Sequence, residues 1–227
     1  MSFPKRSGVA ATPPDAFELM LTRSKTSTAP HYLHDALAKA VADYKAVHDS
    51  VGRIAKDKTL TDAARLVRQA TVARGKMISA LASVEAAKQQ ATAGRKLNEA
   101  ELSKPLDYRS SNLADISLAA EVRAYARGLP IADRSAFMLK AIEGIDLDTL
   151  RAIAAAPAFL SGLPQQLHDL ARSKLLSVVA PEPLERVKIL AADEKFAETL
   201  HDQLAQATAD LVDFASADDI AKNADAA

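Results

Sequence analysis

The spacing of apolar residues between Pro30 and Gly94 limits the possible folds of this chain more than any other feature. Leu33, Leu37, Ala40, Tyr44, Val47, Val51 and Ile54 step by alternating fours and threes, which sets them along one narrow stripe of a helix. Beyond Lys58-Thr59-Leu60-Thr61 the same step continues through Leu60, Ala63, Val67, Ala70, Met77, Leu81, Val84 and Ala91, with Arg74 and Lys88 interrupting it. Thr59 is placed to cap this second helix, with Asp62 at its third position. A turn this short predicts an antiparallel helical hairpin, each arm roughly 40 to 50 Å long at about 1.5 Å per residue. So thin a rod cannot bury both faces alone.

Composition points the same way. Of 227 residues 48% are hydrophobic, but aromatics make up only 4% and Trp is absent, so alanine carries much of the apolar content. Small side chains let helices approach closely while burying little area each, which favours bundles and coiled coils over a thick core. No stretch shows sustained β-type alternation, and the expected class is all-α. The absence of cysteine excludes disulfides, thiolate nucleophiles and Cys-ligated metal sites. No run approaches about 18 apolar residues, and Met1-Ser2-Phe3-Pro4-Lys5-Arg6 is not followed by an apolar segment; a soluble chain without a membrane span or the usual export signal is expected.

Five segments are expected. Residues 1–29 read as a flexible arm, because Pro4, Pro13 and Pro14 forbid a continuous helix. Its apolar cluster, Phe17, Met20 and Leu21, either folds back on its own chain or docks on a neighbouring subunit, and deleting the arm is expected to leave the helices folded. Residues 30–104 form the long hairpin, entered through the capping hydroxyls of Thr26-Ser27-Thr28 and ending either at Gly94 or, after a kink, before Pro105. Residues 105–180 switch to short punctuated helices: Ser111-Asn112 opens one, Gly128-Leu129-Pro130 reads as a left-handed cap, Gly144-Ile145 ends the next, and Asp146 caps a third. Tyr125, Phe137, Leu150 and Phe159 are the expected core of this small bundle. Residues 181–216 form a long acidic helix whose Ala197, Leu200, Leu204, Ala207, Leu211 and Phe214 make another stripe, and residues 217–227 read as a frayed polar tail.

Net charge is zero, yet residues 1–109 hold 18 Lys and Arg against 11 Asp and Glu, while residues 110–227 hold 11 against 18. These opposed charges are satisfied either within one chain or by head-to-tail contact between chains; stripes in need of partners favour contact between chains. Arg65, Arg68, Arg74 and Lys76 lie in the second helix with no carboxylate between Asp62 and Glu85, which is enough for phosphate contact. No aromatics are interleaved to stack on bases, so a solvated face or pairing with the acidic helix competes with nucleic acid.

Little else suggests chemistry. Gly75-Lys76 lacks the glycine, hydroxyl and preceding strand of a phosphate loop, since Ala70 and Met77 occupy the required positions. His31 and His34 stand one turn apart beside Asp35, but a metal would need a third ligand from elsewhere, and the expectation is no metal and no cofactor. No nucleophile elbow or H-E-x-x-H run occurs.

Arg127-Gly128-Leu129-Pro130-Ile131-Ala132-Asp133-Arg134, Gly144-Ile145-Asp146-Leu147-Asp148-Thr149-Leu150 and Ala156-Pro157-Ala158-Phe159-Leu160-Ser161-Gly162-Leu163 together resemble a pattern in uncharacterised helical proteins encoded among phage and prophage structural genes. The likeness covers residues 123–164 and implies a virion or assembly component rather than an enzyme. The expected function is therefore a non-enzymatic structural or scaffolding protein, cytoplasmic or in a virion. Its partner is a second copy or another structural protein, met through Phe17, Met20, Leu21, Leu200, Leu204, Leu211 and Phe214; the alternative is nucleic-acid association through the basic second helix.

Overall fold

A computed structural model describes residues 3–24, 31–107 and 113–225. The fold is all-α, 84% helical, with no strand among the described residues. The helices are α1 (Pro14–Ser24), α2 (His31–Ala55), α3 (Asp62–Ser103), α4 (Leu113–Gly128), α5 (Ile131–Glu143), α6 (Leu147–Ala154), α7 (Gln165–Val179), α8 (Pro181–Leu211) and α9 (Phe214–Asp225). The caps expected at Thr26-Ser27-Thr28 and Ser111-Asn112 lie outside the described residues.

The chain divides into two compact units: Met1–Gly94 with Ile189–Ala227, and Arg95–Lys188. The arm, the hairpin and the acidic helix belong together because their stripes share one core. In α2, Leu33, Leu37, Ala40, Tyr44, Val47 and Val51 are buried as spaced. The buried line of α3 is Ala70, Ala73, Met77, Ala80, Val84, Ala87 and Ala91, again in threes and fours, and that of α8 runs through Leu190, Asp193, Ala197, Leu200, Leu204 and Ala207. The amide of Gln69 donates to the Val51 carbonyl at 3.3 Å, so α2 and α3 run antiparallel. Contact between Leu190 and the backbone at Gly94 at one end, and the Arg74–Asp218 ion pair at the other, set α3 antiparallel to the α8–α9 segment.

Several local expectations change. The cap of α3 is Thr61, whose hydroxyl accepts from the Ala64 N–H at 3.2 Å, whereas Thr59 turns back to Asp57. Ala63, expected in the stripe, is exposed. Gly94 does not end α3, which runs to Ser103 and yields at Pro105 to a single 3₁₀ turn. The arm is not free. Phe17 and Leu21 of α1 are buried in the core and Met20 packs against it, because the apolar edge of this three-turn helix costs less on α2 than in water. Leu200 and Leu204 are likewise fully buried within their own chain, with Leu211 and Phe214 packed against the same core. Phe17, Leu21, Leu200 and Leu204, expected to meet a partner, are buried in their own chain's core, while Met20, Leu211 and Phe214 are partly buried at its edge. The long C-terminal helix breaks after Leu211, and the expected frayed tail is helix α9, opened by Asp213, which accepts from the Ser216 N–H at 3.1 Å and its hydroxyl at 2.8 Å.

The unit of residues 95–188 has its own core of Ala126, Met138, Ala141, Leu150, Ile153, Ala154, Leu163, Ala171 and Leu175. Of the four residues expected there, Leu150 is buried and Phe137 packs against the cluster, but Tyr125 and Phe159 are 61% and 73% exposed. Asp146 caps α6 as expected, accepting from the Thr149 N–H. Gly128 and Gly144 are not left-handed; the left-handed residue after α5 is Ile145, at φ 53°.

Candidate interaction sites

The N-terminal segment before α1 builds the first site. It forms neither helix nor strand and is tied down along its length: the Phe3 ring stacks on Phe214 with centroids 4.6 Å apart and planes nearly parallel, Gln206 donates its amide to the Lys5 carbonyl at 3.1 Å, and the Ser7 N–H donates to Asp210 at 2.6 Å. Farther along, the hydroxyl of Tyr44 donates to the Thr12 carbonyl at 2.7 Å. Burial, with the negative charge of Asp210 nearby, pushes the Tyr44 phenol up to about 12, so it is a fixed donor. For Asp210 burial acts to raise the carboxyl, but hydrogen bonds from Ser7 and Gln206 and the charge of Arg6 outweigh it and hold the group below its ordinary value. Asp213 is lowered by its Ser216 hydrogen bonds, and Asp218 by its hydrogen bond with Arg74.

Arg74 fixes the neighbouring wall. Its guanidinium bonds Asp218 at 2.7 and 2.8 Å and lies over the Phe214 ring at 5.0 Å. The four cations proposed for nucleic acid differ in their surroundings. Arg74 is committed to α9, Arg65 pairs with Asp62 and donates to the Asp57 carbonyl, and Arg68 and Lys76 are exposed. In the helix Arg74 also stands nine residues from Arg65, about half a turn around the axis at 3.6 residues per turn.

In the unit of residues 95–188 the motif residues form a clasp. Arg134 donates to the carbonyls of Leu129 at 2.9 Å, Arg127 at 2.7 Å and Gly162 at 3.1 Å, and Arg127 donates to the Leu160 carbonyl at 3.2 Å. This joins the α4–α5 corner to the loop after α6 and holds the 3₁₀ turn Ala158–Leu160, with Phe159 projecting from it. Leu118 and Tyr125, seven residues apart on α4, lie on one flank of that helix at 52% and 61% exposure, and the Tyr125 ring meets Phe137 edge-on at 5.5 Å. Ile131 is 81% exposed.

His34 lies 3.8 Å from Asp35, and the side chain of His31 is outside the described residues. Among the described residues no three His, Asp or Glu side chains are grouped to hold a metal ion, and no helix is long and apolar enough to cross a membrane. The N-terminal latch, the exposed rings and the Arg134 clasp were all missed in the sequence. No family model matches the chain, and no curated protein or solved structure resembles it significantly.

Proposed function

We propose that this protein is a non-catalytic assembly component that associates with further copies of itself through the unit of residues 95–188, in a phage virion or its scaffold. The observation that carries this reading is the contrast between the two cores. Among the described residues both units leave some aliphatic chains exposed, Val9 and Leu19 in the unit built on α2, α3 and α8, but the exposed rings, Tyr125 and Phe159, lie in the other, where Leu118 and Ile131 are also at least half exposed. Aromatic side chains are enriched in protein interfaces relative to the rest of the surface. The clasp supports the reading because it holds Phe159 on a fixed backbone, so little ordering entropy is lost on docking. The phage-like pattern of residues 123–164 covers three of the four residues and suggests the setting. Light scattering at micromolar concentration should give a mass above 24.1 kDa that falls to the monomer in a Tyr125→Ser, Phe159→Ser double variant. An unchanging monomer across that range would overturn the proposal.

A further inference from the structure

The turn between α2 and α3 belongs to the other unit and supports an inference independent of the assembly surface. We propose that this corner docks the phosphate backbone of double-stranded nucleic acid without reading its bases. Residues 53–68 hold five Lys and Arg against two Asp. Arg53, Lys56, Lys58 and Arg68 are exposed, and none of them is paired with a carboxylate among the described residues; Arg65, with Asp62, forms the ion pair of this stretch.

The fold sets these cations around an opening. Arg53 from α2 and Arg68 from α3 line one open cleft of about 320 Å³, whose walls Ser50, Ile54, Asp57 and Val72 complete. Arg53 is held in place by Ser50, whose hydroxyl oxygen accepts from the guanidinium at 3.2 Å while donating to the Ala46 carbonyl at 2.7 Å. The carbonyl end of a helix ordinarily repels an anion, but at the end of α2 these carbonyls are occupied. The Lys56 N–H closes on the Arg53 carbonyl, the Asp57 N–H closes on that of Ile54, and the Arg65 guanidinium covers the Asp57 carbonyl at 3.0 Å. Asp57 brings the one carboxylate to the cleft wall, and it is engaged by the turn, accepting from the Thr59 N–H at 2.9 Å and the Thr59 hydroxyl at 2.6 Å. Those bonds, with the charges of Arg68 and Arg65 nearby, hold its carboxyl below the ordinary value.

The charges, and what is missing beside them, select the occupant. Guanidinium forks suit phosphate and carboxylate alike, but unpaired cations spread over the end of one helix and the start of the next call for closely spaced negative charge. A duplex supplies one about every 1.7 Å of its axis. Stacking on the bases of a single strand would need rings, and no Phe, Tyr or Trp occurs between Tyr44 and Tyr108. Cations that meet phosphates alone give binding that is indifferent to sequence and steep in salt.

The test is fluorescence anisotropy of a labelled duplex of about 20 base pairs, titrated with the full chain between about 50 and 200 mM sodium chloride. Four phosphate contacts predict a slope of about −3 to −4 in log affinity against log salt, hence about a 100-fold loss over that range. Arg53→Gln with Arg68→Gln should make the slope shallower by about two, and Lys56→Gln with Lys58→Gln should do the same. All four side chains are exposed, so helical circular dichroism should be unchanged in both double variants. Arg172→Gln, at an exposed cation of the unit of residues 95–188, should change neither affinity nor slope. Absence of binding at about 50 mM salt, or a slope unaltered in both double variants, would overturn the proposal. Equal affinity for polyglutamate would overturn it by making the corner a site for acidic protein, and tighter binding of a single strand would do so by moving the contact to the bases.

Discussion

Gly162 and Ile145 both hold left-handed backbone in the unit of residues 95–188, at φ 66° and 53°, but only one has the residue that such backbone favours. A β-branched side chain in this region costs about 1–2 kcal/mol, and Ile145 is there because the Asp146 N–H closes the end of α5 on the Ala141 carbonyl at 3.0 Å. Asn tolerates the conformation, so Ile145→Asn should raise stability by about 0.5–1 kcal/mol in urea unfolding. Gly162→Ala should do the reverse. Its Cβ would sit 2.7 Å from a guanidinium nitrogen of Arg134, and displacing that group breaks charged hydrogen bonds as well as straining the backbone. A loss of about 2–3 kcal/mol is expected, shrinking toward the strain alone when Arg134 is already Ala. Titration is also a residue-scale matter. Asp210, Asp213 and Asp218 all have folded values below the ordinary 3.8, so their contribution to stability is complete above that value and is lost as pH falls through the lower folded ones. The melting temperature should therefore drop below about pH 4, and the drop should be shallower in Asp210→Asn, which starts lower at neutral pH; an unchanged slope would show that the latch carries none of it.

Among the elements, α2 was fully legible because its stripe is written in Leu, Val and Tyr, which have a strong preference for the interior. In α3 only half the line could be read. Ala73, Ala80 and Ala87 are buried at every seventh position, yet alanine is equally at home on a surface, so its periodicity carries little signal in a chain this rich in it. The α9 helix was lost for the same reason, although Asp213 and Ser216 at cap spacing were available as a clue. The exposed rings of Tyr125 and Phe159 were unreadable in principle: sequence shows that a side chain is apolar, and only tertiary structure shows that nothing covers it. The prolines of the arm forbid one continuous helix but not a short one, and Pro14 opens α1 as a first-turn proline can. Its role is testable. Phe17 is 1% exposed and meets Tyr44 edge-on at 5.2 Å, so Phe17→Ala should cost about 3–5 kcal/mol, and deleting residues 1–24 should lower helical circular dichroism by more than the lost residues account for. Unfolding at the wild-type midpoint would return α1 to the status of an appendage.

At the scale of the molecule, the sequence reads as an electrostatic dipole, and the structure dissolves most of it. Residues 1–94 carry 14 Lys and Arg against 8 Asp and Glu, and residues 189–227 carry 2 against 9, yet both belong to one compact unit. The surplus of about six positive charges is thus met by about seven negative ones inside the same fold, through contacts such as Arg74 with Asp218 and the charge of Arg6 beside Asp210 and Asp213. Residues 95–188 hold 13 against 12 and are almost neutral by themselves. Head-to-tail attraction between chains therefore has little net charge to draw on. Screening separates the two cases, since the Debye length falls from about 10 Å at 0.1 M salt to about 3 Å at 1 M. Contact between opposite charges on different chains would weaken over that range, whereas association through Tyr125, Ile131 and Phe159 would hold or tighten, apolar contact being indifferent to screening. Sedimentation velocity of the full chain should accordingly give the same species at 0.1 and 1 M sodium chloride, and Arg65→Glu with Arg68→Glu should leave that species unchanged. Arg74→Glu should act differently, loosening α9 by removing the partner of Asp218 and the cation over Phe214, with a lower melting temperature and no change in assembly. Dissociation at high salt, restored by returning to low salt, would place the charges between chains after all.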